Sequence, residues 1–284
     1  MSQPPYFLGL PMWSNRDWLG GLFPRNTSSK DFLSHYNNAF NTVEGNTTFY
    51  ALPSQETVAG WKSQLNPGFR FCFKLPKEVT HTGQLYNSDV LEQFFERLDV
   101  LKDSLDPFMI QLPASFGPSR FTELERFLRS LPEHYCYAVE VRHPAFFAKG
   151  NEERYLNRLL MELAVDRVCF DSRSLFSRPA RNEAERDAQA KKPRLPVHAI
   201  ATGQRPLIRF IGLGDMACDE QYLVPWKHKL REWVSEGKQP YFFMHSPSNR
   251  EVPFLAESFH DSFQDLPEWY PLNIDSQTDQ LDIF

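Results

Sequence analysis

Glu44 and Asn46 stand two residues apart in the stretch FNTVEGNTTFYALPS (40–54). A strand through them carries a carboxylate and an amide on one face, because side chains alternate along extended chain. Similar apolar runs place other ionisable or amide groups near their ends: Lys74 in FRFCFKLP, Gln111 in PFMIQLP, Glu140 and Arg142 in YCYAVEVRHP, Asp171 in RVCFDSR, Arg209 in LIRFIG and His245 in YFFMHSP. Carboxylates in such company serve acid/base chemistry, because neighbouring charges drive their pKa values apart. Glu44, Glu140 and Asp171 are the candidates for moving protons. Lys74, Arg142 and Arg209 suit a phosphate or carboxylate, which guanidinium forks grip with two hydrogen bonds.

These runs must be strands for the groups to meet. Eight occur, at 6–11, 41–46, 69–76, 107–113, 135–144, 167–173, 207–212 and 241–247. Pro11, Pro76, Pro113, Pro144 and Pro247 close five of them, where a missing N–H stops the ladder. Helical patterns lie between, at 29–39, 54–65, 88–105, 121–131, 151–165, 219–236 and 254–264. The clearest carries Leu91, Phe94, Leu98, Leu101 and Leu105 at spacings of three and four behind Ser88. Strand and helix in alternation predict a single (β/α)8 TIM-type barrel. An open doubly wound sheet is the alternative, but no G-x-G-x-x-G follows the first strand.

Parity then assigns the faces. Phe69, Phe71, Phe73 and Leu75 suit the outer helices, leaving Lys74 inside; the same reading turns Glu44, Asn46, Gln111, Glu140, Arg142, Asp171, Arg173, Arg209 and His245 inward. Barrel sites sit at the C-terminal mouth, where these groups converge. A salt-bridge network that closes the barrel top is the structural alternative. The Gly212-Leu213-Gly214 turn after strand seven adds backbone N–H groups to the anion reading. Glu44, Glu140, Asp171, His143 and His245 could also ligate a divalent ion, but no H-E-x-x-H spacing is present and the nearby cations disfavour metal. His81 and His143 follow strands directly and are candidate proton shuttles. Trp13, Phe49 and Tyr50 are placed to stack on a substrate or to cover the rim. No nucleotide-cofactor or nucleophile-elbow motif occurs.

The chain has 284 residues, 41% hydrophobic and 24% charged, with net charge −5. That fits one large soluble domain and gives no global basic excess for nucleic acid. There is no run near membrane-spanning length and no signal-peptide pattern at the start. The four cysteines form no CxxC pair. Together these predict a cytoplasmic protein with reduced thiols.

Residues 174–206 interrupt the alternation with seven Lys/Arg against three Asp/Glu, and read as an insertion after strand six with a helix at 182–191. The barrel is assigned to 1–270 and a loose polar tail to 271–284. That tail ends Gln280-Leu281-Asp282-Ile283-Phe284, which is similar to the peptide by which bacterial proteins dock on the DNA polymerase sliding clamp. Gln280, Leu281, Ile283 and Phe284 would then bind that partner, placing the barrel in DNA metabolism, with the basic insert (Arg181 to Arg194) touching phosphates.

The segments VEGNTTFYALP, FRFCFKLP with the following KEVTH, IQLPASFGP, YAVEVRHPAFF, CFDSR and LIRFIG, in order over residues 6–250, resemble the YecE-like family, long labelled a domain of unknown function. The insert RDAQAKKPRLPVHA resembles its bacterial branch. The resemblance implies a TIM-type barrel and no particular reaction. The family's recurring residues fall here on Trp13, Glu44, Asn46, Tyr50, Lys74, His81, Gln111, Glu140, Arg142, His143, Asp171 and Arg209. Two functions follow from the sequence: an enzyme, hydrolase- or phosphodiesterase-like, for a small anionic ligand or nucleic acid; or a non-catalytic accessory protein docked on the clamp.

Overall fold

In the computed structural model, which describes residues 5–262, eight parallel strands run β1 (Phe7–Leu10), β2 (Thr42–Gly45), β3 (Arg70–Phe73), β4 (Phe108–Gln111), β5 (Tyr137–Glu140), β6 (Asp166–Asp171), β7 (Leu207–Ile211) and β8 (Tyr241–His245). Each strand pairs with its neighbour in sequence except β3 with β4, and β8 pairs with β1. Between β3 and β4 the contact is looser. It consists of the bridges Phe71–Leu105 and Lys74–Met109, with Leu75 N–H donating to the Met109 carbonyl at 3.0 Å. The sheet therefore closes into the barrel that the alternation predicts.

Helices α1 (Phe32–Ala39), α3 (Gln55–Lys62), α5 (Asp89–Leu98), α6 (Phe121–Ser130), α7 (Asn151–Glu162), α9 (Met216–Ser235) and α10 (Val252–Asp261) form the outer layer; α2 (Thr47–Tyr50) and α4 (Lys77–His81) are single turns on the loops after β2 and β3, and α8 (Glu183–Lys191) lies in the insertion after β6. The helix expected over 88–105 ends at Leu98. A 3-10 segment, Asp99–Ser104, carries Leu101 and Leu105 inward, since the tighter turn preserves the three- and four-residue spacing. Among the described residues, no helix is long and apolar enough to cross a membrane.

Two apolar layers flank the sheet. Outward side chains such as Val43, Phe71, Phe73, Ile110, Val139 and Phe210 join the helices in one large core. Inside the barrel Phe7, Cys72, Met109, Ala138, Val168, Leu207, Tyr241 and Phe243 form a second, smaller plug. That plug fills the lower barrel, so inward groups one step further along each strand sit directly on an apolar floor at the mouth. The tail 271–284, with Gln280, Leu281, Ile283 and Phe284, lies outside the described residues.

Candidate functional site

Glu44 on β2 and Arg209 on β7 face each other across the barrel. The guanidinium donates from Nε to Glu44 Oε2 at 2.7 Å and from Nη2 to Oε1 at 2.8 Å, a two-pronged pair. Its Nη1 donates to Glu140 Oε2 on β5. Lys74 reaches Glu44 Oε1 at 3.2 Å and Gln111 Oε1 at 3.1 Å. Arg142 holds Glu140 Oε1 from Nε at 2.8 Å and Nη2 at 2.7 Å. His245 Nε2 lies 2.9 Å from Glu44 Oε2. A carboxylate only accepts, so that nitrogen carries the proton. Every one of these groups except the half-buried Arg142 is at least nine-tenths buried.

The electrostatics follow from this packing. Burial pushes the Glu44 carboxyl up, but Arg209, then Lys74 and His245, outweigh it and hold it well below the carboxylate range. Burial likewise opposes ionisation of Glu140, yet Arg209, Arg142 and Lys74 bring it down to about 2. Burial lowers His245 to about 4 despite Glu44 beside it, so the ring is neutral near pH 7. Each oxygen of both carboxylates already accepts from a cation. They are therefore poor proton carriers, and they act as anchors for the cations. Charge does not balance: Lys74, Arg142 and Arg209 make three positive groups against Glu44 and Glu140.

A rim stands above this floor. Phe170 on β6 turns inward, its ring 5.5 Å from the Arg209 guanidinium and 5.9 Å from that of Arg142. Lys74 lies 6.0 Å from the Phe49 ring, which packs edge-on against His81 and Tyr50. His81 bonds the Thr80 hydroxyl at 2.8 Å, and burial, with Arg142, Lys77 and Lys74 nearby, lowers its pKa. Tyr50 is 78% exposed. Asn46 donates to the Pro11 carbonyl at 2.9 Å and ties the loops after β1 and β2 together.

The insertion supplies a residue that the sequence reading did not single out, Lys192. Burial, then the charges of Arg209 and Lys74, lower its ammonium to about 8, against the pull of Glu44 and Glu140. It has neither a hydrogen bond nor an ion pair from its side chain among the described residues. No sequence signal singles it out, because Lys192 is the extended C-cap residue of α8 within a basic run.

Four sequence-based assignments change. Asp171 does not enter the mouth. Val168 belongs to the inner plug, so Arg167, Cys169 and Asp171 face outward. There Asp171 accepts from Trp226 Nε1 at 2.8 Å and from Arg173 at 3.0 and 2.8 Å, within the helix layer. Trp13 packs edge-on against Trp61 and Phe71 and is core, not substrate lining. The glycine turn after β7 offers no free N–H groups for an anion. Gly212 donates to the His245 carbonyl, and Leu213 and Gly214 donate to the Asp219 carboxylate at 2.9 and 3.1 Å. A Cβ on Gly212 would stand 2.4 Å from that carboxylate, which is why glycine is required there. His143 uses Nδ1 to accept from Ala145 N–H at 3.2 Å, fastening the turn after β5. With Asp171 and His143 so engaged, Glu44, Glu140, Asp171, His143 and His245 do not gather; among the described residues no three His, Cys, Asp or Glu side chains are grouped to hold a metal.

Comparison with known proteins fits this architecture. The profile of a family described as "Protein of unknown function DUF72" matches residues 7–277. The UPF0759 protein YecE of Escherichia coli K12 is 43% identical over 267 residues, 93% of this chain and 94% of that one; its counterpart from E. coli O157:H7 is 42% identical over the same span. Among solved structures, a DUF72 family protein from Thermotoga maritima MSB8 superposes with TM-score 0.68 at 22% identity, covering 91% of this chain and 98% of its own. One from Enterococcus faecalis V583 gives TM-score 0.68 at 17% identity, covering 94% and 98%. The chain belongs to the DUF72 family.

Proposed function

We propose that the mouth of this DUF72 barrel is an enzyme site for a small anionic substrate, a phosphate- or carboxylate-bearing molecule held between Arg142 and Lys192 above the Arg209 floor. The observation that carries the reading is the surplus of positive charge at the mouth, which lies on the partly buried Arg142 and Lys192. Three cations share two carboxylates, and a fourth, Lys192, feels the same charges while making neither a hydrogen bond nor an ion pair from its side chain among the described residues. Buried charge without a partner is costly, and an incoming anion removes the cost at this place. The apolar plug beneath strengthens the attraction by keeping water out from below.

Proton transfer in this site falls to Lys192 and His81, because the carboxylates are committed to their cations and His245 to Glu44. Phe49, Tyr50 and His81 form an aromatic wall on the side of the β2 and β3 loops, suited to the non-ionic part of the substrate. The test is calorimetric titration of the full chain with inorganic phosphate, repeated with Arg142→Gln and Lys192→Met. One site per wild-type chain, weakened in both variants, is expected. Absence of binding to the wild type, or equal binding by all three, would end the anion reading.

A further inference from the structure

We propose that the anion bound at the mouth carries a planar aromatic ring, which stacks on the wall formed by Phe49, Tyr50 and His81. The inference rests on the anion site just described and names the chemical class of its substrate.

Its first support is how firmly that wall is fastened to the charged floor. α2 follows β2 after the single residue Asn46, whose side chain holds the Pro11 carbonyl at 2.9 Å. The Thr48 hydroxyl donates to the Lys74 carbonyl at 2.8 Å, which ties the turn to the end of β3. The Phe49 ring then lies 6.0 Å from Lys74 Nζ, and the same Nζ lies 3.2 Å from Glu44. The Tyr50 and His81 rings each stand 5.1 Å from Phe49, edge to face. His81 is oriented in turn by the Thr80 hydroxyl at 2.8 Å. Contact distances thus run without a break from the buried Glu44 carboxylate to the outermost ring.

Its second support is where exposed aromatic surface lies. Tyr50 is 78% exposed, and among the described rings it meets only Phe49. Tyr86, on the loop between α4 and α5, is 61% exposed. Among the described residues these are the two most exposed large hydrophobic side chains, and both stand on connections that leave the C-terminal ends of β2 and β3. Less exposed ones, such as Tyr155 and Met161 on α7 and Val224 on α9, are scattered over the helix layer, where single apolar residues are ordinary. A ring that closed the barrel rim would be buried by doing so, and Tyr50 is not. Left in water beside a cationic mouth, it offers a π surface to a ligand. Rings gain from one another beyond the area they bury, in offset or edge-to-face contact. A face that attracts cations can also stand next to Lys74 at little cost. The cations thus hold one end of the substrate and the rings the other.

Calorimetric titration of the full chain with methylphosphonate, cyclohexylphosphonate and phenylphosphonate separates the anion from the ring. All three should bind, and phenylphosphonate should bind about tenfold tighter than cyclohexylphosphonate, which matches its bulk without its flat face. Tyr50→Ala and Phe49→Leu should each remove most of that preference and leave methylphosphonate binding unchanged. A difference in ionisation between the two larger phosphonates would survive both substitutions; stacking would not. Adenosine 5′-monophosphate against ribose 5-phosphate repeats the comparison with a nucleobase. A gain there supports a nucleotide, a gain confined to phenylphosphonate supports a simple aryl anion, and either upholds the ring. No gain in either pair, or a ring preference that survives both substitutions, would overturn the aromatic substrate while methylphosphonate binding kept the anion site. No binding of any of these ligands would bring down the anion site and the ring with it. Tyr50 is exposed, so Tyr50→Ala decides the matter even if Phe49→Leu folds poorly.

Discussion

Two arginines are almost wholly buried, Arg167 and Arg209, and they sit on opposite faces of the same sheet. Arg167 points outward. Its guanidinium donates to Glu153 at 2.9 Å, Asn157 at 2.7 Å and the Phe146 carbonyl at 2.6 Å, and lies 5.1 Å from the Phe147 ring. Glu153 completes its shell with His198 and the Lys149 N–H. Arg167 meets one carboxylate, amide, carbonyl and imidazole groups complete the shell, and nothing is owed to a ligand. Arg209 is as buried and as well bonded, but its neighbours leave a positive surplus. Burial of charge alone therefore does not distinguish a brace from a site. The sign and size of what remains uncompensated does.

The sharpest way to break that distinction is to remove each guanidinium. Arg209→Met deprives two buried carboxylates at once, and Arg167→Met deprives one. Breaking a buried pair on one side costs about 3–5 kcal/mol. Urea unfolding should put Arg209→Met at the upper end or beyond and Arg167→Met at the lower. Equal losses would mean that the mouth network is no more demanding than the outer one.

Acid reads the same networks by a second route, with a somewhat smaller effect. His245 is neutral in the folded chain down to about pH 4, whereas an unfolded histidine protonates near 6.5. The unfolded state then binds the extra proton, so the stability present above pH 6.5 drains away as pH falls towards 4, by about 3 kcal/mol at 1.36 kcal/mol per pH unit. Glu140 adds a lower window, since its contribution is present above about pH 4.5 and is lost as pH falls towards 2. His245→Gln, which keeps a donor for Glu44, should flatten the upper window and leave the lower one. A melting-temperature series across pH 4–7 that is the same in both proteins would remove His245 from the account.

Ligand linkage separates the faces next. A phosphate that binds only the folded mouth stabilises by about 2.7 kcal/mol at a hundred times its dissociation constant. Arg167→Met should retain that gain in full, because its defect lies in the helix layer. Arg142→Gln, whatever its own cost in plain buffer, should lose most of that phosphate-dependent gain. A gain that vanishes in Arg167→Met but persists in Arg142→Gln would invert the assignment of brace and site.

How far the sequence foretold this depends on what parity can decide. Alternation places Glu44, Lys74, Gln111, Glu140, Arg209 and His245 on one face of their strands, and on those strands an unbroken Phe, Val or Ile face identifies the outside. On β6 it misleads, because polar and apolar residues occupy both faces. Asp171 looks inward by analogy with its neighbours, but α9 supplies Trp226 to receive it, as α7 supplies Glu153 to Arg167 on the same face. Phe170 takes the inward place as a ring face for two guanidinium groups. Trp13 and the Gly212 turn fail differently. Their residue types suit a site, and only the packing of Trp61 and the approach of Asp219 reveal other employment. Lys192 was hidden inside a basic run whose other members are solvated; its neighbour Lys191 pairs with Asp187 on the surface.

Lys192 also yields the smallest effect, one that isolates the surplus itself. In the unfolded chain this lysine holds its proton to about pH 10.4, and in the folded chain only to about 8. Between those values the unfolded state carries the extra proton, so stability rises with pH. The side chain keeps some contact with water, which reduces the amplitude to the order of 1 kcal/mol. Wild type should therefore gain on Lys192→Met as pH climbs from 8 to 10, with phosphate absent. Saturating phosphate should abolish the rise, because an anion beside the ammonium restores its affinity for the proton. Lys191→Met, a change on the solvated side of the same helix end, leaves Lys192 in place and should keep the wild-type slope. A slope common to all three proteins would belong to the surface, and the uncompensated charge at the mouth would lose its one local reporter.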